Sequence, residues 1–146
     1  MPQKGVLFSG TIDSNIRYGK PEITDAQVKE AAEVAQATEF IDTKPEKYKS
    51  PVSQGGTNVS GGQKQRLSIA RAIAKDPEIF IFDDSFSALD FKTDSQLRKA
   101  LKEYTKDATT VIVAQRISTI LGADQIIVLD EGKIMESHIR RIACDK

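Results

Sequence analysis

Two stretches of this 146-residue sequence hold side chains whose types and spacing could handle a phosphate. The first is Asn58-Val59-Ser60-Gly61-Gly62-Gln63-Lys64-Gln65-Arg66. Ser60 with Gln63 behind it is a capping box, the mark of a helix start. Adjacent glycines at that start bare several amides, and a helix N-terminus carries about half a positive charge. An oxyanion fits there with little reorganisation. Alone, the same pattern also describes a plain helix cap with flexible glycines. The second stretch is Ile79-Phe80-Ile81-Phe82-Asp83-Asp84, followed at once by Ser85-Phe86-Ser87-Ala88-Leu89-Asp90. An apolar run ending in an acid puts a carboxylate at the carboxyl edge of a strand, where open α/β sheets bind ligands. In nucleotide hydrolases such an acid holds Mg²⁺. Read alone, it fits an ordinary polar turn equally well.

The elements around these stretches must position them. Thr24-Asp25-Ala26-Gln27 is a second capping box, and Val28, Ala31, Ala32 and Ala35 recur behind it at helical spacing, predicting a helix over 25–36. Short helices are expected around Ser14–Tyr18 and from Thr38, with an extended connector over 43–58 holding Pro45, Pro51 and Gly55-Gly56. The helix opened by Ser60 should run to Lys75, where Asp76-Pro77 stops it. Ile79–Phe82 reads as a strand buried on both faces. Leu97, Ala100, Leu101 and Tyr104 put one apolar stripe on a helix over 91–105. A buried strand at Thr110–Ala114, a short helix near 116–121, and strands at Ile126–Leu129 and Lys133–Met135 follow. The alternation predicts parallel α/β architecture in the second half and a helical subdomain in the first.

Composition narrows the function classes. Twenty-one basic residues balance 21 acidic ones, which argues against a nucleic-acid or membrane binder working through bulk charge. Hydrophobic residues make up 39%, enough for a core. The lone Cys144 excludes an internal disulfide and a cysteine-rich zinc site. No apolar run reaches the 18 or so residues that span a bilayer, and Met1-Pro2-Gln3-Lys4 opens no signal segment, so the chain is expected to be soluble by itself.

Taken together, the two stretches are far more specific than either alone. Over residues 1–134 the sequence resembles the nucleotide-binding domain of ATP-binding-cassette (ABC) transporters. Residues 58–66 resemble the family's signature motif, Asp83 its Walker B magnesium-site aspartate, and Ser87–Asp90 its D-loop. Gln3 resembles the Q-loop glutamine and Val113-Ala114-Gln115-Arg116-Ile117-Ser118 the switch region. Leu7-Phe8-Ser9-Gly10-Thr11-Ile12, with Asn15-Ile16 and Tyr18-Gly19, resembles the exporter branch.

The resemblance implies an α/β fold, part of a P-loop NTPase (RecA-like) mostly parallel sheet with an α-helical signature subdomain. It divides the chain into 1–76, a Q-loop and helical part, 77–134, a Walker B, D-loop and switch part, and a divergent tail at 135–146. It implies ATP and Mg²⁺ as cofactors, with Gln3 and Asp83 toward the metal and Gln3, Ser60, Gly61, Gly62, Gln63 and Asp90 toward nucleotide. Asp84 and Gln115 stand at the catalytic positions. The implied partners are a second nucleotide-binding domain, paired head to tail, and the transmembrane domains of an exporter, at the cytoplasmic face of the membrane. No nucleic acid is expected.

The sequence also departs from the family. A phosphate-cradling Walker A loop needs a glycine, four spacers, then Gly-Lys-Ser/Thr. The Gly-Lys pairs here, Gly19-Lys20 and Gly132-Lys133, meet neither condition. These residues alone are therefore expected neither to bind nor to hydrolyse ATP, and the strand ending in Asp83 is expected to have an unpaired apolar edge. Where the family carries glutamate, Asp84 is one methylene shorter; where it carries a histidine, Gln115 cannot carry a proton. Both changes resemble the degenerate half of a heterodimeric exporter. Two other functions compete: a non-catalytic docking or regulatory fragment, and a cassette ATPase of DNA repair. Lys64, Arg66 and Arg71 are read as a solvated or interdomain face, Phe86 as packing, and His138 and Cys144 as without a role.

Overall fold

A computed structural model describes residues 5–115, 117–120 and 122–139. The expected Q-loop Gln3, Arg116 of the switch region and Cys144 lie outside them. Two compact units divide between Val113 and Ala114. That is a division by contacts, whereas the boundaries expected after 76 and 134 are divisions by motif.

The first unit opens with strand β1 (Gly10–Thr11) and helix α1 (Ile12–Ile16). Helix α2 (Asp25–Val34) is capped by Thr24 and Gln27 as expected, and α3 (Thr38–Asp42) follows. The connector expected to be extended instead folds into two 3₁₀ turns, Lys47–Lys49 and Gln54–Gly56, around strand β2 (Pro51–Val52). β2 pairs antiparallel with β1. Helix α4 (Gly61–Ala74) is the spine of this unit. It buries Leu67, Ile69, Ala70, Ile73 and Ala74, and packs on α1 and α2.

Strand β3 (Ile79–Asp83), helix α5 (Phe91–Tyr104) and strand β4 (Thr109–Val113) complete the unit. β3 and β4 run parallel, with Ile79 opposite Thr109 and Asp83 opposite Val113. One expectation fails here. Phe80 and Phe82 are buried, but Ile79 and Ile81 on the opposite face are 59% and 56% exposed, and Val111 and Val113 beside them are exposed as well. An unbroken apolar run carries no period-2 signal to say which face is covered. Among the described residues only the phenylalanine face has a layer against it, and there Phe82 meets Phe86 with ring centroids 5.5 Å apart. Phe86 packs, as expected.

The second unit holds helix α6 (Ile117–Ile120) and the antiparallel strands β5 (Gln125–Asp130) and β6 (Lys133–Ile139). Glu131 and Gly132, both at positive φ (44° and 75°), form the two-residue turn that suits a hairpin's twist. The last strand was expected to stop at Met135. It continues to Ile139, so residues 135–139 of the expected divergent tail form a paired strand. No helix among the described residues is long and apolar enough to cross a membrane.

The one-sided burial of β3 has a measurable consequence. Phe82→Ala should destabilise the chain by about 3–5 kcal/mol, whereas Ile81→Ser, at a position more than half exposed, should cost clearly less, about 1 kcal/mol. Urea unfolding followed by circular dichroism separates the two, and equal losses would contradict the open face.

Candidate functional site

The site begins at the start of α4. Ser60 is the exposed N-cap in extended conformation, and its Oγ accepts from the Gln63 amide at 3.2 Å. The Gln63 Oε1 accepts in return from the Ser60 amide at 3.1 Å. This reciprocal pair fixes the first turn and leaves the amides of Gly61 and Gly62 with no partner inside the helix. Val59, just ahead, is half-buried and packs against the core.

The two glycines differ. A Cβ built on Gly61 would meet nothing within 4 Å, and its backbone needs no left-handed φ. A Cβ on Gly62 would come within 3.3 Å of the Ala88 carbonyl oxygen and 3.9 Å of the Leu89 side chain. Gly62 is thus small because another segment lies against it, while nothing in this fold demands a glycine at 61.

That other segment is the loop after β3. Asp83 is the last residue of β3, exposed at its carboxyl end. Asp84 sits at φ 43°, a left-handed conformation that Asp tolerates better than most residues. Its amide donates to the Val113 carbonyl at 2.9 Å, and its own carbonyl accepts from the Ser87 hydroxyl at 3.1 Å. Ser85 is buried and its hydroxyl donates to the Asp83 carbonyl at 3.2 Å. At the far end Asp90 is the N-cap of α5, accepting from the Thr93 amide at 3.0 Å. Bonds from Thr93, first from its backbone and then from its side chain, hold the Asp90 carboxyl below its ordinary range.

Of the residues expected from sequence, Ser60–Gln63 and Ser87–Asp90 are brought together, and Asp83 and Asp84 lead into the same loop. Gln115 is exposed and belongs to the second unit. Among the described residues no group of three or more His, Cys, Asp or Glu side chains is gathered to hold a metal. Mg²⁺ commonly takes one or two carboxylates and draws its other ligands from phosphate and water. A single exposed acid at a strand tip, such as Asp83, suits that donor set.

Arg66 and Arg71, expected on a solvated or interdomain face, are both half-buried within the first unit. Arg66 donates to the Gln36 carbonyl at 2.8 Å, closing the end of α2, and lies over the Phe40 ring at 4.9 Å. Arg71 donates to the carbonyls of Asn15 (2.7 Å) and Val6 (2.8 Å) and to Asn15 Oδ1 (2.8 Å). Its guanidinium faces the stacked rings of Phe8 and Tyr18. Burial pushes both guanidinium pKa values down from their ordinary value. An arginine remains charged regardless, so the carbonyl partners are what make these positions tolerable. Gln65 was also missed as a site residue: it is buried, and its Oε1 accepts from the Ala88 amide at 3.0 Å.

The chain is similar to several known proteins. A sequence model of the family described as ABC transporter matches residues 1–87. Multidrug resistance protein homolog 65 of Drosophila melanogaster is 46% identical over 134 residues, covering 92% of this chain and 10% of that protein. An ABC transporter ATP-binding protein of Mycobacterium tuberculosis is 48% identical over 138 residues, 92% of this chain and 23% of its own length. A bacterial Atm1-family ABC exporter solved with ATP bound superposes with a TM-score of 0.89 at 39% identity, over 95% of this chain and 24% of that one. The chain thus spans between a tenth and a quarter of the length of these relatives.

Two outcomes follow from the geometry. Gly61→Ala should raise stability by roughly 0.4–1 kcal/mol, by restricting the unfolded chain at a site where the methyl has room. Gly62→Ala should gain less, because Ala88 must yield; paired denaturant titrations check the order. The depressed Asp90 carboxyl contributes to α5 in full above its unfolded value near 3.8, and that contribution fades as pH falls through the lower folded value. The stability gap between the wild type and Asp90→Ala should therefore close as acid is added below that point, and a gap that widens would be the wrong sign.

Proposed function

The chain belongs to the ABC transporter family, and from that membership we propose that it is the signature-bearing portion of an exporter's ATP-binding domain. In this reading Ser60, Gly61, Gly62 and Gln63 close on the terminal phosphate of an ATP held by a second cassette, paired head to tail. Asp83 and Gln3 would be the residues to hold Mg²⁺, and Asp90 would lie at the junction between the cassettes. When bound, the metal neutralises charge developing on the phosphates.

One observation carries the proposal. Gly61 occupies the first turn of a 14-residue helix where alanine would fit and stabilise. Its bareness has no use in the fold of this chain. It is what an incoming oxyanion requires in order to reach the amides of the first turn.

The same reading treats the chain's own hydrolytic residues as weak. Asp84 lies where a longer glutamate would orient the attacking water, and a carboxylate set back by about 1 Å can cost roughly 10²-fold in rate. Gln115 offers an amide where the family's histidine offers a protonatable ring. The chain would then supply its signature to a competent partner site and turn over slowly at its own. The relatives' names, multidrug resistance and ABC exporter, support export as the process driven; in this reading the domain works at the cytoplasmic face of the membrane.

Gly61→Asp tests the role of the cradle. Acid is tolerated at a helix N-terminus, so the fold should stand, while a carboxylate where phosphate must dock should lower the ATPase rate of the transporter carrying these residues by about 10²-fold or more. Unchanged ATPase would refute the cradle. Asp84→Glu combined with Gln115→His should raise turnover at the second site by about 10²-fold, and no change would mean that both sites already work equally. For these 146 residues alone, calorimetry with Mg-ATP should detect no binding at micromolar concentrations.

A further inference from the structure

We infer that Gln65 is a positioning residue: its buried side-chain oxygen ties the Ser87–Asp90 loop to the first turn of α4, so that the glycine cradle and the loop meet a nucleotide as one rigid piece. This rests on the reading of Ser60–Gln63 as a phosphate cradle.

Both ends of the loop are fixed. On the β3 side, Asp84 is anchored by its amide to Val113 and by its carbonyl to the Ser87 hydroxyl. On the α5 side, Asp90 is anchored by the helix it caps. Between these points the loop turns through Leu89, whose amide donates to the Phe86 carbonyl at 3.2 Å and whose side chain is only 6% exposed. Ala88 stands at the crest, and its residue surface is exposed. α4 reaches it there. Gln65 Oε1 accepts the Ala88 amide at 3.0 Å, and the bare backbone of Gly62 lets the Ala88 carbonyl lie close beside it. Arg66, next along the helix, is attracted electrostatically to Asp90.

The chemistry of this bond favours orientation over stability. Gln65 is 4% exposed, so its oxygen is held in one place by packing. Ala88 is at the surface, so its amide could turn to water if the acceptor were lost. A hydrogen bond that water can replace adds little net stability. What it does supply is a fixed distance between two segments that meet the same ligand, and reacting geometry is sensitive to shifts of that size.

The test uses two variants of matched size. Gln65→Met keeps the volume and removes the acceptor; Gln65→Glu keeps an oxygen at the same reach. In the 146-residue chain, hydrogen exchange at the Ala88 amide should speed up about 10-fold in Gln65→Met and return to the wild-type rate in Gln65→Glu. In the transporter carrying these residues, Gln65→Met should lower kcat about 10-fold with KM for ATP unchanged, and Gln65→Glu should recover to within about 3-fold. Unchanged Ala88 exchange in Gln65→Met overturns the tether. Faster exchange with unchanged kcat overturns its functional role, provided Gly61→Asp abolishes activity in the same assay. If Gly61→Asp leaves activity intact, the cradle reading has failed instead, and Ala88 exchange still decides whether the tether exists. A kcat loss that persists in Gln65→Glu although Ala88 exchange has returned to the wild-type rate marks Gln65 as packing only and overturns the inference.

Discussion

One helix has to satisfy opposite demands at its two ends, and the first unit is arranged around that constraint. The start of α4 is open, with Ser60 and Gly61 exposed, yet most of the helix beyond the first turn is core, with Leu67, Ile69, Ala70 and Ile73 fully buried. The capping box between Ser60 and Gln63 reconciles these demands, because it satisfies two end groups from within the turn and needs no covering element. Farther along, the arginines complete the transition from wet to dry. Each donates to main-chain carbonyls, so the charges that would otherwise oppose burial become the means by which α2 and the 6–15 segment are held to the helix. A helix with an apolar residue at position 71 could pack as tightly, but it would leave the carbonyls of Val6 and Asn15 without this partner.

Local chemistry made much of this legible. Capping boxes at Thr24 and Ser60 depend on residues three apart, and both helices begin where those residues predict. The box at Thr11 went unread because its reciprocal partner is Ser14 rather than a glutamate or glutamine. β1 and β2 could not be found at all: each is two residues long, and neither has a meaning until the other, about 40 positions away in the chain, lies beside it. The length of β6 was hidden for a related reason. Lys133–Ile139 is largely polar, and only pairing with β5 makes it a strand.

The candidate site divides along the same line. Ser60, Gly61, Gly62 and Asp83 could be picked out because residue type and immediate neighbours point to their chemistry. Gln65 and Arg71 could not, since their partners lie 23 and 56 positions away. In both cases a polar residue on a buried helical stripe was the available signal. A glutamine among Leu67, Ile69 and Ala70 must find a partner or carry a desolvation cost, and an arginine there must find several.

The main chain around Asp84 decides how its departure from the family should be understood. A shorter side chain matters little if the backbone can advance to make up the missing length. Here it is pinned on both sides of the residue, by Val113 accepting its amide and Ser87 donating to its carbonyl, and it already occupies a left-handed conformation. Moving the backbone forward would break the bond to β4 and disturb the loop that approaches Gly62. The carboxylate's reach is therefore set by the side chain alone. Replacing Asp84 by glutamate lengthens that reach by one methylene and leaves the main-chain bonds with Val113 and Ser87 available, although glutamate suits the left-handed conformation less well than aspartate does.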